Sequence, residues 1–133
     1  MVPRSPSILL IEDDRDLAEV IVEVLQTEGY RVIHAGDGRA ALGLLAEGEL
    51  PDLILLDLMM PNMNGWEFRA VQLHEPRLAK IPVVVLSATG ERARPIDAAR
   101  ILRKPVTIET LLQAVGEFVP RSAAKPAKTP PSE

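Results

Sequence analysis

Short aliphatic runs recur along the chain, and each of them stops at a polar residue. The three clearest runs are residues 8–11, 53–56 and 83–86, which are followed by Glu12, Asp57 and Ser87. Continuous apolar runs of this length, bounded by turn-forming residues, are typical of strands buried on both faces of a parallel sheet. The pattern therefore predicts three such strands with polar side chains at their carboxyl ends.

Between these runs the apolar residues are spaced as on one face of a helix. The predicted helices are residues 16–28, 40–47 and 66–74, and a last helix that begins after residue 107. Gly29 stands where a helix ends, and Asp37 and Thr107 are candidate N-caps. Further strands are predicted at residues 30–35 and 101–102.

This alternation of strand and helix predicts one α/β domain over residues 6–119. Right-handed crossovers give a doubly wound, five-stranded parallel sheet with helices on both faces. Residues 1–5 are predicted to be a flexible N-terminus. Residues 120–133 form a tail rich in Pro, Ala and Lys that has no large apolar residue. We expect this tail to be disordered, because nothing in it offsets the entropy of ordering.

The composition narrows the class of function. The apolar fraction is 47% with one Trp, one Tyr and two Phe, which predicts an aliphatic core. A net charge of −4 argues against nucleic acid as a direct partner, and the absence of cysteine excludes disulfides and thiolate metal sites. No apolar run reaches the length of a membrane span, and the N-terminus lacks a signal-peptide core. We therefore expect a cytoplasmic protein without membrane insertion.

Chemistry-bearing side chains are predicted to converge at one edge of the sheet, because the carboxyl ends of parallel strands meet there. The residues at this edge would be Glu12, Asp13, Asp57, Ser87 and Lys104. Oxygen ligands without nearby His or Cys suit Mg²⁺. An aspartate can itself be the nucleophile that receives a phosphoryl group, and an ammonium and a hydroxyl would stabilise that group.

Each of these residues also has a simpler interpretation. Asp14 or Asp16 could merely cap the first helix, and a strand-end Asp57 could be a turn former. Lys104 could be a solvated loop residue, and Ser87 a loop hydroxyl. Only the joint occurrence of these groups at four strand ends favours phosphoryl chemistry.

With these residues considered together, the chain resembles the receiver domain of two-component response regulators over residues 5–119. The residues that carry the resemblance are the acidic pair Glu12 and Asp13, the strand-end Asp57, the loop 60–65, Ser87 with Ala88, and Lys104 with Pro105. The resemblance implies the flavodoxin-like strand order 2-1-3-4-5. It also implies that such a protein catalyses only its own phosphorylation and dephosphorylation.

The resemblance further implies a partner, a cofactor and a role for each site residue. Asp57 would accept a phosphoryl group from a sensor histidine kinase or phosphotransfer protein, and the phosphorylated form would bind a downstream effector protein. The cofactor would be Mg²⁺, held by Asp13, Asp57 and the backbone carbonyl of Met59, with Glu12 supporting it through water.

Three other residues have implied roles. Lys104 would pair first with the carboxylate and then with the phosphoryl oxygen, and Ser87 would move toward the phosphoryl group. Gly65 would permit a backbone conformation that a side chain resists.

Two features depart from the usual pattern of receivers. Three residues before the lysine, where receivers usually carry Tyr or Phe, this chain has Ile101, which has neither a ring nor a hydroxyl. The stretch between Ser87 and Lys104 is also shorter than usual, so the fourth helix, within residues 94–99, is predicted to be shortened. We therefore expect the phosphorylated state to be read through an unusual surface.

Two other classes of function are weighed against a receiver that is a single domain. A dehalogenase-like phosphatase or phosphotransferase also uses an aspartyl nucleophile, but it needs a second acid at the position that Met59 occupies. A receiver-shaped scaffold could bind partners without phosphorylation. The complete set of acidic residues, Ser87 and Lys104 counts against the scaffold, whereas Ile101 counts for it.

Overall fold

The computed structural model of the protein describes residues 6–48, 50–88 and 96–120. The strands are β1 (Ser7–Ile11), β2 (Arg31–Ala35), β3 (Leu53–Asp57), β4 (Val83–Ser87) and β5 (Arg100–Arg103). The helices are α1 (Arg15–Thr27), α2 (Gly38–Glu47), α3 (Gly65–His74), α4 (Pro76–Ala79) and α5 (Ile108–Phe118). None of the helices in these ranges is long and apolar enough to cross a membrane. The predicted N-terminus 1–5 and nearly all of the predicted tail lie outside the described residues.

The five strands form one parallel sheet in the order β2-β1-β3-β4-β5. β1 pairs with β2 on one side and with β3 on the other, with Leu9 opposite Ile33 and Ile54. All residues of β1, β3 and β4 are buried, which explains why these strands are continuous apolar runs in the sequence. The predicted doubly wound α/β architecture is confirmed.

Alternate side chains of the sheet enter two aliphatic cores, one on each face. On β1, Ile8 and Leu10 pack in the core that α1 and α5 cover. Leu9 and Ile11 point to the opposite face, where α2 and α3 cover the second core. Because a strand alternates its side chains between faces, both cores draw on the same short runs. The sheet is therefore held from both sides, and its ends are left to carry polar groups.

Caps fix the ends of several helices. Asp14 accepts a hydrogen bond from the backbone N–H of Leu17 at 3.1 Å, and Thr107 accepts one from that of Thr110 at 3.0 Å. Gly29 has φ 97° immediately beyond the C-cap of α1, as its place in the sequence predicts. Capping therefore accounts for Asp14, one of the interpretations that the sequence leaves open.

The connections that flank β4 differ from what the sequence suggests. Residues 96–99, where part of the shortened helix is predicted, lie in neither a helix nor a strand, and residues 89–95 are outside the described ranges. Arg69 of α3 fastens this connection, since its Nε donates to the carbonyl oxygen of Asp97 at 2.8 Å. The helix α4 is not predicted from the sequence. It is a single turn that begins at Pro76, and proline is favoured in the first turn of a helix.

Candidate functional site

Four strands bring charged and polar groups to the carboxyl-terminal edge of the sheet. Glu12 follows β1, Asp57 ends β3, Ser87 ends β4 and Lys104 follows β5. β3 and β4 are neighbours in the sheet, and so are β4 and β5. Residues that are far apart in the sequence therefore become neighbours in the structure, as the sequence predicts for parallel strands.

The ammonium of Lys104 lies between two buried carboxylates. Its Nζ is 3.1 Å from Oε1 of Glu12 and 3.3 Å from Oδ1 of Asp57. The side chains of Glu12 and Asp57 are 1% and 5% exposed, whereas that of Lys104 is 20% exposed. The backbone N–H of Lys104 donates to the carbonyl oxygen of Ser87 at 2.7 Å, which holds the lysine against the end of β4. Two carboxylates thus share one cation in a largely buried position.

The charges at this edge shift the pKa values of both partners. Burial and the negative charge of Glu12 raise the pKa of Asp57 to about 7, although Lys104 opposes this change. Burial alone would lower the pKa of Lys104, but attraction to Asp57 and Glu12 outweighs it and the pKa of Lys104 is raised. Lys104 is therefore charged at neutral pH. Its single positive charge does not balance the carboxylates, so a further cation would be stabilised here.

A third carboxylate completes a cluster with the chemistry of a hard-cation site. Glu12, Asp13 and Asp57 each offer a carboxylate oxygen, and these oxygens all lie within 4.8 Å of one another. Asp13 is exposed, whereas the other two residues are buried. Oxygen ligands with one solvent-facing side suit Mg²⁺, which keeps several of its water ligands. The residues present therefore fit a divalent cation.

Glu12 is held in place by groups outside this cluster. Its Oε2 accepts a hydrogen bond from the backbone N–H of Asp14 at 3.2 Å. The Nε2 of His34 lies 2.7 Å from the carbonyl oxygen of Glu12, so Nε2 carries the proton in this contact. The sequence alone does not predict the role of His34, because the contact depends on the register between β1 and β2.

Gly65 allows the start of α3 to approach the end of β3. Its N–H donates to the carbonyl oxygen of Leu58 at 2.9 Å. A Cβ atom at Gly65 would lie 2.8 Å from the carbonyl oxygen of Asp57 and 2.7 Å from the Leu58 side chain. The φ of Gly65 is not in the left-handed region. A side chain would therefore be resisted at Gly65, as predicted, but the cause is this close approach and not a left-handed backbone.

Three other residues singled out in the sequence are Ser87, Met59 and Ile101. Ser87 is buried at the end of β4, next to the strand that carries Asp57. Met59 is 63% exposed in the connection between β3 and α3. Ile101 is 54% exposed on β5, so an aliphatic side chain faces solvent where receivers usually carry an aromatic one.

The fold and its acidic edge define an α/β protein of the flavodoxin-like type. A model of the family described as "Response regulator receiver domain" matches residues 8–116. The chain therefore belongs to the response regulator receiver domain family of two-component signalling. Acceptance of a phosphoryl group on an aspartate and binding of Mg²⁺ at an acidic pocket are properties of this family.

The chain is also similar to several curated regulators. The transcriptional regulatory protein PdtaR of Mycobacterium tuberculosis is 37% identical over 126 residues, which cover 90% of this chain and 58% of that protein. The transcriptional regulatory protein CpxR of Escherichia coli is 37% identical over 122 residues, which cover 86% of this chain and 50% of that protein. The chain thus spans about half the length of the curated relatives it matches.

Solved structures of receiver domains share the fold. A putative response regulator from Chloroflexus aurantiacus is 27% identical with a TM-score of 0.81, over 89% of this chain and 100% of that one. The receiver domain of the sensor histidine kinase PA1611 from Pseudomonas aeruginosa is 27% identical with a TM-score of 0.79, over 86% of this chain and 98% of that one. That structure has a magnesium ion coordinated in its active site cleft.

Proposed function

We propose that the protein is a response regulator receiver whose phosphoacceptor is Asp57. The observation that carries this proposal is the position of the Lys104 ammonium, 3.3 Å from Oδ1 of Asp57 and 3.1 Å from Oε1 of Glu12. A lysine that is fixed beside a buried carboxylate can stabilise both the nucleophile and the charge of an incoming phosphoryl group. Its position between two carboxylates is therefore the one that phosphoryl transfer to Asp57 would require.

The donor is a phosphohistidine on a sensor histidine kinase or a phosphotransfer protein. A carboxylate oxygen of Asp57 attacks phosphorus, the bond between phosphorus and the histidine nitrogen breaks, and an acyl phosphate forms on Asp57. Lys104 pairs with a phosphoryl oxygen as the charge on that oxygen develops. Ser87, at the end of the adjacent strand, supplies a hydroxyl donor to a second phosphoryl oxygen.

Asp13, Asp57 and the backbone carbonyl of Met59 would hold Mg²⁺, and Glu12 would support it through water. When bound, Mg²⁺ would neutralise part of the negative charge on the phosphoryl group. The fit of the carboxylate cluster, with oxygens within 4.8 Å of one another, supports this assignment. The family neighbour with magnesium in its cleft supports it as well.

The direct partners are proteins. Phosphorylation adds negative charge to an edge that already carries several carboxylates, and a change of this kind acts by altering a surface that a partner binds. The net charge of −4 gives the chain no general attraction for nucleic acid. The transcriptional relatives suggest that the effector can belong to a transcriptional pathway.

The test is the intact mass of the protein after incubation with Mg²⁺ and a small-molecule phosphoryl donor. We expect the mass of one added phosphoryl group in the wild type, none without Mg²⁺, and none in Asp57→Asn. Asp52→Asn is a matched control, because Asp52 precedes β3 at the opposite end of the sheet. Absence of phosphorylation with both the small-molecule donor and a phosphorylated kinase would favour a scaffold that acts without phosphorylation.

A further inference from the structure

A side-chain contact joins the connections that follow β2 and β3. Oδ2 of Asp37 accepts a hydrogen bond from Nδ2 of Asn62 at 2.7 Å. Asp37 lies between β2 and α2, and Asn62 lies between β3 and α3. Since β2 and β3 are the strands that flank β1, this contact links the connections on both sides of the strand that leads into Glu12.

Asp37 is itself held firmly in place. Its other oxygen, Oδ1, accepts a hydrogen bond from the backbone N–H of Ala40 at 2.8 Å and caps α2. The hydrogen bonds from Ala40 and Asn62 hold the pKa of Asp37 below its usual range. Asp37 therefore presents a charged acceptor at a fixed position, the start of a helix that packs on the second core.

The loop that receives this contact contains a residue in the left-handed conformation. Asn62 has φ 64°, and it is the one residue other than glycine with a positive φ in the described ranges. Asparagine tolerates this left-handed conformation better than most residues, but it still carries a cost. In the same loop, the carbonyl oxygen of Met63 accepts a hydrogen bond from the N–H of Gly38 at 3.2 Å. The turn at Asp37 and Gly38 therefore makes two hydrogen bonds to the loop that contains Asn62 and Met63.

That same loop follows the proposed phosphoacceptor. Residues 58–64 connect Asp57 to α3, and they include Met59, whose backbone carbonyl is a proposed Mg²⁺ ligand. Gly65 anchors the far end of the loop through its hydrogen bond to Leu58. The middle of the loop receives side-chain support from Asp37. The orientation of the backbone after Asp57 therefore depends on a residue that follows a different strand.

We propose that Asp37 is a positioning residue for phosphorylation, which acts by holding the β3–α3 loop through Asn62 in the conformation that binds Mg²⁺. This inference rests on the proposed function of Asp57. Without the contact, the loop samples other conformations, and the ordering cost is added to cation binding and to phosphoryl transfer. Asp37 touches neither the cation nor the phosphoryl group, so its effect is indirect.

Three variants separate this role from capping and from charge. Asp37→Ser keeps a good N-cap for α2 but has no second oxygen to reach Asn62. Asn62→Gly removes the same contact while keeping the charge of Asp37, and glycine adopts a positive φ without strain. The exchanged pair Asp37→Asn with Asn62→Asp restores a donor and an acceptor with their roles reversed. Asparagine is also a good N-cap, and aspartate tolerates the left-handed conformation.

Calorimetric titration with Mg²⁺ and the rate of phosphorylation by a small-molecule donor are measured for each variant. Both single variants should raise the dissociation constant for Mg²⁺ and slow phosphorylation by about threefold to tenfold, the loss expected for one typical intramolecular hydrogen bond. The exchanged pair should recover most of both losses. In metal-free protein, amide hydrogen exchange at Gly38 and Met63 should be faster in the single variants, which reports loop mobility without any cation.

The outcomes are distinguishable. Wild-type affinity and rate in Asp37→Ser would overturn the inference and leave the proposed function intact. A loss in Asp37→Ser that is absent from Asn62→Gly would also overturn it, because the effect would then come from charge alone. A wild-type protein that neither binds Mg²⁺ nor becomes phosphorylated on Asp57 would overturn the proposed function and this inference together.

Discussion

Asp57 is both deeply buried and close to other carboxylates, so its charge opposes folding when no metal is bound. Because its pKa is raised to about 7 in the folded protein, that state keeps a proton which the unfolded chain releases near pH 4. Metal-free protein should therefore lose stability as pH rises from about 4 to about 7. Asp57→Asn removes this loss, so between about pH 4 and about pH 8 the wild type should lose about 4 kcal/mol of stability relative to the variant.

Urea unfolding in the presence of a chelator checks this prediction. The difference in unfolding free energy between Asp57→Asn and the wild type should be larger at about pH 8 than at about pH 5. Asp16→Asn is the control, because Asp16 is an exposed acidic residue in the first turn of α1. A difference that does not change with pH would contradict the explanation based on the buried charge.

At Gly65 the packing of α3 against the end of β3 leaves no space for a side chain. A Cβ at this position meets the backbone of Asp57 and Leu58 at 2.8 Å, so Gly65→Ala must displace α3 or the end of β3. We expect a loss of about 1–3 kcal/mol in unfolding free energy, together with slower phosphorylation. Gly43 is the matched control: it is exposed inside α2, and a Cβ added there would meet nothing within 4 Å.

The two alanine variants should change stability in opposite directions. Gly43→Ala should raise the unfolding free energy by about 0.5–1 kcal/mol, because alanine is the better helix former. Chemical denaturation of both variants measures this. If Gly65→Ala were as stable as Gly43→Ala and phosphorylated at the wild-type rate, the close approach of α3 to β3 would not constrain the site.

Among the elements, α3, α4 and the connection from α4 to β4 are joined by one buried polar side chain. Nε2 of Gln72 donates to the carbonyl oxygens of Leu78 and Ile81 at 2.8 and 3.1 Å, and its Oε1 accepts from Arg69. Gln72→Met keeps the volume but removes these three hydrogen bonds from a buried position, so we expect a loss of about 1–3 kcal/mol. Gln26→Met, on the exposed side of α1, should change stability by less than about 0.5 kcal/mol.

Denaturant unfolding of Gln72→Met and Gln26→Met measures whether the loss of stability is specific to the buried glutamine. Equal effects at the buried and the exposed position would mean that the hydrogen bonds of Gln72 add nothing beyond packing. A selective loss at Gln72 would identify α4 as an element held by polar contacts rather than by its own length. One helical turn is too short to be stable by itself.

Sequence predicts the elements whose causes are local. β1, β3 and β4 are found because complete burial makes them continuous apolar runs, and helix starts are found because Asp37 and Thr107 cap them with their own side chains. The position of Asp57 at the end of β3 is predicted because Asp57 directly follows one of these apolar runs. Features that depend on contacts between connections are not predicted. The hydrogen bonds of Gln72 to α4 and of Asp37 to Asn62 need a register that no local pattern encodes.

In the molecule as a whole, two aliphatic cores hold a sheet whose polar groups gather at one edge. The cores cover both faces of β1, β3 and β4, so the strand ends have fixed positions relative to one another. Such a scaffold keeps carboxylates together although they repel, because separating them would require the sheet to move. The net charge of −4 increases this repulsion, and a bound cation relieves it. Cation binding and global stability should therefore be linked.

Mg²⁺ that binds only the folded protein should raise the unfolding free energy, by about 1.4 kcal/mol at a concentration ten times the dissociation constant. Asp13→Asn should reduce this increase, because Asp13 is the exposed member of the carboxylate cluster. Asp16→Asn removes the same charge from a residue outside the cluster and should respond to Mg²⁺ as the wild type does. Thermal unfolding with Mg²⁺, and with KCl at equal ionic strength, measures the effect. An equal loss in both variants would mean that Mg²⁺ only screens the acidic surface.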